Sequence, residues 1–422
     1  MPFRIALSGL NAAAADLRVI GNNIANSSTT GFKQSRAEFA DIYAASTLGV
    51  SANATGAGVK ISSIKQEFSQ GNIDFTNNNL DMAISGEGFF RLNEGGSIKY
   101  SRAGGFGVDR AGYIVNSENQ RLTGYQADTT GSITGALGDI QLSTQDLAPN
   151  ATTSVSLTAN LNSSVVAPGV NFNKDDAATY NHSTSLTAYD SRGNALLQTL
   201  YFQKSGASSW NMYSYLTDPA GNDTEMVPAG GTGGLTPPAP VALTFTADGA
   251  ISTVSPGTGA IANYDPTTIA SLGSSALDID IDINNVTQFG TDFGVNELLQ
   301  DGYTTGRLSG VDVSESGVIS ARYTNGQSLT LAQVAMANFS NLNGLAQLGD
   351  TTWSETFESG SALVGTAGTG PLGLIQSGAL EGSNVDLTEQ LVNMITAQRN
   401  FQANAKTIET ADTVTQTIIN IR

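Results

Sequence analysis

The chain has 422 residues, 40% of them hydrophobic, which is material for two to four domains with their own cores. It has no cysteine, which excludes disulfides and thiolate metal sites, and its net charge of -18 argues against nucleic acid, which needs clustered lysine and arginine. No apolar run approaches the roughly 20 residues that span a bilayer, so no membrane insertion is expected. The start of the chain shows no apolar signal region or cleavage site, although the Gly-, Ser-, Thr- and Asn-rich composition has an extracellular character.

The N-terminal segment predicts a helix. Phe3, Ala6, Leu10, Ala13, Leu17, Ile20 and Ile24 fill the a and d positions of three heptads, with Leu7 and other apolar residues off that seam. A helix apolar on several sides expects several neighbours. It gives way at Asn22, Asn23 and Asn26, before the Thr30-Gly31 turn. These amides are either a frayed end or a means of satisfying backbone groups where helix becomes connector, and an assembly role is the reading adopted.

Residues 31–70 read as an irregular connector, apolar at Phe32, Phe39, Ile42 and Tyr43, with room for one short helix. From Gly71 the period changes to two. Leu80, Met82 and Ile84 alternate with Asp81, Ala83 and Ser85 as a half-buried strand, GEGFFRL is another, and turn residues between short apolar runs continue to about 149 as a hairpin meander. Nine of the eleven prolines then fall between Pro149 and Pro266, and residues 122–306 carry 3 basic against 17 acidic groups. Residues 150–284 therefore read as an inserted outer all-β domain, with strands at SLTAYDS, LLQTLYFQ, SWNMYSYLT and VALTFTA. The inner all-β domain, 71–149, resumes over 285–355, where Asn325-Gly326 signals a hairpin, and residues 356–379 return through the connector.

Residues 383–422 contain neither Gly nor Pro and predict one long helix, opened by a capping box of Ser383 and Asp386. Leu387, Met394, Phe401 and Ile408 recur every seven residues, with Leu391, Ala405 and Ile419 on a companion row that Gln398, Asp412 and Thr415 interrupt; Ile395 adds apolar surface beside it. The fold class expected is α+β, mainly β: paired terminal helices (1–30 with 380–422) forming a coiled-coil stalk, and two nested antiparallel all-β domains. Both helices are expected to lack sufficient neighbours in a single copy and to order on assembly.

Chemistry is sparse. Gly368-Thr-Gly370-Pro-Leu-Gly373 matches G-x-G-x-x-G, but Pro371 lies inside it and no helix opens there, so a plain loop is expected. Asp278, Asp280 and Asp282 alternate with isoleucines as a charged, solvent-facing edge strand rather than a calcium loop. His182 is the only histidine, and no G-x-S-x-G elbow accompanies it. No catalytic residue, metal or cofactor is expected.

SGLNAAAADLRVIGNNIANSSTTGFK near one end and LEGSNVDLTEQLVNMITAQRNFQANAKTIETAD near the other resemble the bacterial flagellar axial proteins, the family of rod, hook and hook-filament junction subunits. GEGFFRL and YSRAGGFGVDRAGYIVN are similar to a β domain shared by its rod and hook members, and residues 287–360 look like the hook members in particular. The resemblance covers about residues 1–145 and 285–422. It implies a homo-polymer in the hook, outside the cell, whose terminal helices line an inner tube and whose insert forms the outer surface of a flexible, torque-carrying joint. It further implies distal rod, hook cap, hook-filament junction and type III export apparatus proteins as partners, and export without a cleavable signal peptide. The implied assembly residues are Phe3, Leu7, Leu10, Leu17, Ile20, Asn22, Asn23, Ile24 and Asn26 on the first helix, and Leu387, Leu391, Met394, Ile395, Phe401, Ile408 and Ile419 on the second. A distal rod subunit, with straight rigid tubes, and a secreted adhesin or carbohydrate-active β protein are the alternatives.

Overall fold

The structure is a computed structural model that describes residues 2–42, 56–128, 130–143, 145–235, 237–269 and 271–420. Helix α1 spans Pro2–Ala25 and helix α2 spans Leu387–Asn420; between them the described residues are mainly β. The chain divides into two compact units, residues 1–144 with 309–322 and 328–422, and residues 145–308 with 323–327.

The first unit holds both helices. Strands β1 (Ser35–Asp41) and β2 (Val59–Gln66) form an antiparallel pair that packs on α1. This corrects the expectation of an irregular connector with one short helix; Tyr43 and residues 43–55 lie outside the described residues. The apolar face of α1 must be covered, and a strand pair does this while satisfying its own backbone groups. The large sheet of the unit places Ser328–Asn338 against both Arg121–Ala127 and Phe89–Glu94. Its core gathers Met82, Ile84, Phe90, Leu92, Ile114, Leu122, Val334 and Met336, and a second cluster packs Phe89, Tyr100, Phe339 and Trp353 edge to face. The strand expected to be half-buried, Met82–Ser85, is buried at Met82, Ala83 and Ile84 alike, because both of its faces are covered.

The second unit has two six-stranded sheets sharing one core that includes Leu157, Leu161, Leu200, Phe202, Trp210 and Ile281. The four predicted strands appear as His182–Tyr189, Ala195–Gly206, Ser209–Thr217 and Val241–Phe245. Most pairings are antiparallel, but Ser154–Asn162 pairs parallel with Asp280–Asp282 and with Thr287–Phe289. Asp280–Asp282 is thus an interior strand between 154–162 and 261–262, and not the expected edge; Ile279, Ile281 and Ile283 are buried while the Asp280 carboxylate accepts from Asn263 Nδ2 at 2.7 Å. Residues 285–308 likewise pair within this unit, because Gly294–Gln300 runs along 154–162. His182 stacks on Phe293 at 4.4 Å, and burial lowers its pKa.

Two hairpins of this unit turn on the same device, Asp-x-x-Gly-Asn at 190–194 and 218–222, in which the carboxylate accepts from backbone N–H groups two and four residues on and from the asparagine side chain. Ser271 donates a further bond to Asp218 at 2.6 Å, and these bonds hold its pKa down to about 2. Its contribution to stability is therefore complete above the ordinary carboxylate pKa near 4 and is lost as the pH falls towards 2. The thermal midpoint of the second unit is expected to fall over this interval, followed by circular dichroism, and Asp218→Asn is expected to flatten that dependence.

Candidate assembly surface on the terminal helices

The helices run antiparallel in a constant register. A Cβ on Gly9 would lie 2.5 Å from Asn404 Oδ1, and fourteen residues further along α1 Asn23 Nδ2 donates to Gln390 Oε1 at 3.2 Å. On α2 the least exposed positions are Gln390, Met394, Ala397, Phe401, Asn404, Ala405, Ile408 and Ala411, and all but Ala405 follow alternating steps of four and three. Met394, Phe401 and Ile408 are thus on the seam as expected, while its companion row is Gln390, Ala397, Asn404 and Ala411 rather than the row of Leu391 and Ala405. Gly9 lets the helices approach closely, because its lack of a side chain leaves room for Asn404. Leu387, Leu391, Ile395 and Ile419, predicted for the assembly surface, are exposed in the single chain.

The predicted seam of α1, with Leu7 beside it, also divides. Ala6, Ala13 and Ile20 are buried, whereas Phe3 and Leu7 are exposed and Leu10, Leu17 and Ile24 are half-buried. With Ala14 and Gly21 these last five make an apolar stripe at steps of four and three along the whole helix, on a side that neither α2 nor the β1–β2 pair covers fully. The expectation that the two ends lack neighbours in one copy is corrected in part, because each helix covers one face of the other. On α1 this stripe remains open, as the exposed apolar residues of α2 do on that helix. Its full burial would stabilise contact by about 1.5–3 kcal/mol for each large side chain.

Asn23 is buried and fastens α1 to its surroundings: Nδ2 donates to Ser35 O at 2.8 Å and Oδ1 accepts from Ser35 N at 2.9 Å. Asn26 closes the helix by donating to Asn22 O, and Asn22 itself is exposed. At the start of α2 the cap is Asp386, whose Oδ1 accepts from Thr388 N and Glu389 N, rather than Ser383, so the helix begins three residues later than the expected cap implies.

Beneath the helix ends lies an ion cluster that the sequence reading missed. Glu381 and Lys33 are fully buried, with Lys33 Nζ 2.6 Å from Glu381 Oε1, and the nearly buried Arg102 places Nη1 3.0 Å from Oε2. Lys33 also donates to Ser69 O, Arg102 to Gly86 O, and Glu381 Oε1 accepts from Gly71 N. Burial lowers the pKa of Lys33 and of Arg102, and the Glu381 carboxylate opposes it in both. Nearby Asn384 accepts from Gln34 N and donates to Glu67 O. Segments that leave α1 and enter α2 are thus tied to the same β framework. In a chain with only 13% charged residues, lone charges beside Phe32 and Leu380 were the available signal.

Gly368–Gly373 forms turns between strands 363–366 and 374–377, with no helix at its end. Among the described residues no helix is long and apolar enough to cross a membrane, and no group of three potential metal ligands occurs.

An antiparallel pair made from the two ends of the chain leaves apolar stripes open to contact with other chains. Four family models match the chain: the flagella basal body rod protein over residues 3–33, the flagellar hook protein FlgE/F/G D1 domain over 83–160, the flagellar basal body protein FlaE D2 domain over 160–303, and the flagellar basal body rod FlgEFG protein C-terminal over 376–421. The flagellar hook protein FlgE of Escherichia coli K12 is 40% identical over 432 residues, covering 100% of both chains. That of Rhizobium meliloti is 33% identical, covering 99% of this chain and 98% of its own. In fold the chain is similar to the crystal structure of Helicobacter pylori flagellar hook protein FlgE2, with a TM-score of 0.53 at 16% identity over 73% of this chain and all of that one. The chain belongs to the flagellar hook protein family, a family of structural proteins of the flagellum rather than of enzymes.

Proposed function

We propose that the protein is a structural subunit of the bacterial flagellar hook, which self-assembles into a curved, flexible tube that transmits torque from rod to filament. The observation that carries this is the apolar stripe Phe3, Leu7, Leu10, Leu17 and Ile24 on a helix already paired with α2, in a chain similar over its full length to hook proteins. The helix pair, residues 1–30 with 380–422, forms the inner wall. Segments 31–70 and 356–379 connect it to the inner β domain, and the acidic insert faces outward, where like charge keeps contacts weak and able to slide. Within the flagellum the expected partners are other copies, the distal rod, the hook cap, the hook-filament junction proteins and the type III export apparatus.

Electron microscopy of full-length protein under polymerising conditions, beside a version lacking residues 1–30 and 380–422, tests this reading. Curved tubes are expected from the intact chain alone; straight tubes would favour a distal rod subunit, and monomers in both samples would count against the reading. Excision of Gln145–Leu308 with a short linker is expected to leave tubes of altered curvature. The excision takes all of that unit but residues 323–327, since removing 150–284 alone would leave Gly294–Gln300 without its partner strand.

A further inference from the structure

Between the helix pair and β1 lies a cleft of about 430 Å³. Val19 and Ile20 of α1 and Ala37 and Phe39 of β1 line it, and Asp16 and Glu389 bring two carboxylates to it. Its apolar wall continues onto β2, because Phe39 pairs with Ile61 and Ala37 with Ile64, and both isoleucines are exposed. Neither Asp16 nor Glu389 is in an ion pair among the described residues. Arg36 at the rim does not neutralise them, since it is 3.3 Å from Glu67 on the same rim. Burial raises the pKa of Asp16, with no cation to oppose it. A half-buried carboxylate in that position is stabilised by a basic group arriving from outside.

The occupant of such a cleft must bring aliphatic side chains and a cation on one face. On the helices the exposed basic residues without an ion pair among the described residues are Arg4, Arg18 and Arg399. Of these, Arg399 alone follows two large exposed aliphatic side chains at helical spacing, Ile395 four residues and Val392 seven residues before it, exposed at 51% and 58%. The three form a ridge on the side of α2 turned away from the Gln390, Ala397 and Asn404 row that meets α1. Lys406, next along this ridge, is already paired with Glu409. Elsewhere Lys60 stands on the charged face of β2, and Arg110 and Arg192 are on turns, so none of them heads a row of this kind.

We infer that the ridge of Val392, Ile395 and Arg399 on one copy docks in this cleft of a neighbouring copy, with the aliphatic side chains on Ala37 and Phe39 and the guanidinium meeting Asp16 and Glu389. Ridge and cleft are different surfaces of one chain, so the contact is heterologous and propagates along a helical array instead of closing a dimer. The inference rests on the polymer reading above. It adds to the open stripe of α1 a second contact, in which α2 of one copy seats against helix and strand of the next.

The absence of native cysteine gives a direct test. Ile395→Cys and Phe39→Cys proteins, both altered at exposed positions, are mixed, polymerised and mildly oxidised. A disulfide-linked dimer is expected from the mixture, and little from either protein alone. Tubes without that cross-link overturn the inference and leave the polymer reading intact, whereas wild-type protein that forms no tubes overturns both. A cross-link from Phe39→Cys to Leu7→Cys in its place would assign the cleft to the α1 stripe and also overturn the inference. Arg399→Glu and Glu389→Arg are each expected to raise the critical concentration about tenfold or more, and the two together in one chain to restore it. These positions are about 15 Å apart along α2, too far to pair within a copy, so the rescue reports contact between copies. Failure of that rescue in proteins whose circular dichroism is unchanged overturns the charge pairing.

Discussion

Glu381→Gln is expected to destabilise the first unit by about 3–5 kcal/mol, the largest effect of any single conservative change in it. Glutamine keeps the shape and can still accept from Gly71 N, but it removes the carboxylate in ion-pair contact with both buried cations, Lys33 and Arg102. Like charges in a medium of low dielectric repel, and neither can reach water without opening the segment that joins α1 to β1. Urea unfolding followed by tryptophan fluorescence at Trp353 would measure the loss. A second variant separates charge from packing: with Lys33→Met added, one of the stranded cations is gone, and part of the stability is expected to return. If the double variant is as unstable as the two single changes summed, the cluster acts through packing and not as an ion network.

Leu7→Asp is expected to abolish polymerisation while leaving the single chain folded. Leu7 is exposed on α1, so a charge there meets water in the monomer and changes stability by no more than about 0.5 kcal/mol. In the packed wall the same carboxylate would have to be buried among apolar side chains without a partner, at a cost of several kcal/mol in every copy. Phe401→Asp tests the other side of the same helix pair and has a different signature. Phe401 lies on the α1–α2 seam, so its replacement is expected to separate the helices already in the monomer, seen as rapid proteolysis of both ends. Leu10→Asp, at a half-buried position, is expected to fall between the two. Sedimentation and electron microscopy report assembly, and limited proteolysis reports pairing. Tubes of normal form from Leu7→Asp would show that the open stripe does not mediate assembly.

Both predictions depend on a distinction that heptad spacing alone does not make. The spacing in residues 3–24 and 387–408 identifies two helices with apolar rows, and hydrophobic period is a local property. Which row meets which is not local. The α2 rows beginning at Leu387 and Leu391 look equivalent in sequence, yet the row that turns to α1 beside Met394 and Phe401 is Gln390, Ala397, Asn404 and Ala411, with Gly9 leaving room for Asn404. The larger leucines are left for other contacts. Asn23 was legible as a polar break in an apolar helix, but its two bonds to Ser35 and one to Gln390 require strands and helix to converge from 367 residues away in the chain.

The sequence by itself determined the element types over most of the chain, the acidic insert flanked by turns, and the helices at both ends, since each follows from periodicity, turn chemistry and composition within short windows. The tertiary structure alone decided the pairing of strand 280–282 into the interior of its sheet, the extension of the second unit to residue 308, and the meeting of Lys33, Arg102 and Glu381. These depend on which segments lie side by side. A carboxylate and two cations spread over 348 residues become a single buried unit only when the chain brings them within hydrogen-bonding distance, because an ion pair acts through distance in space and leaves no period in the sequence.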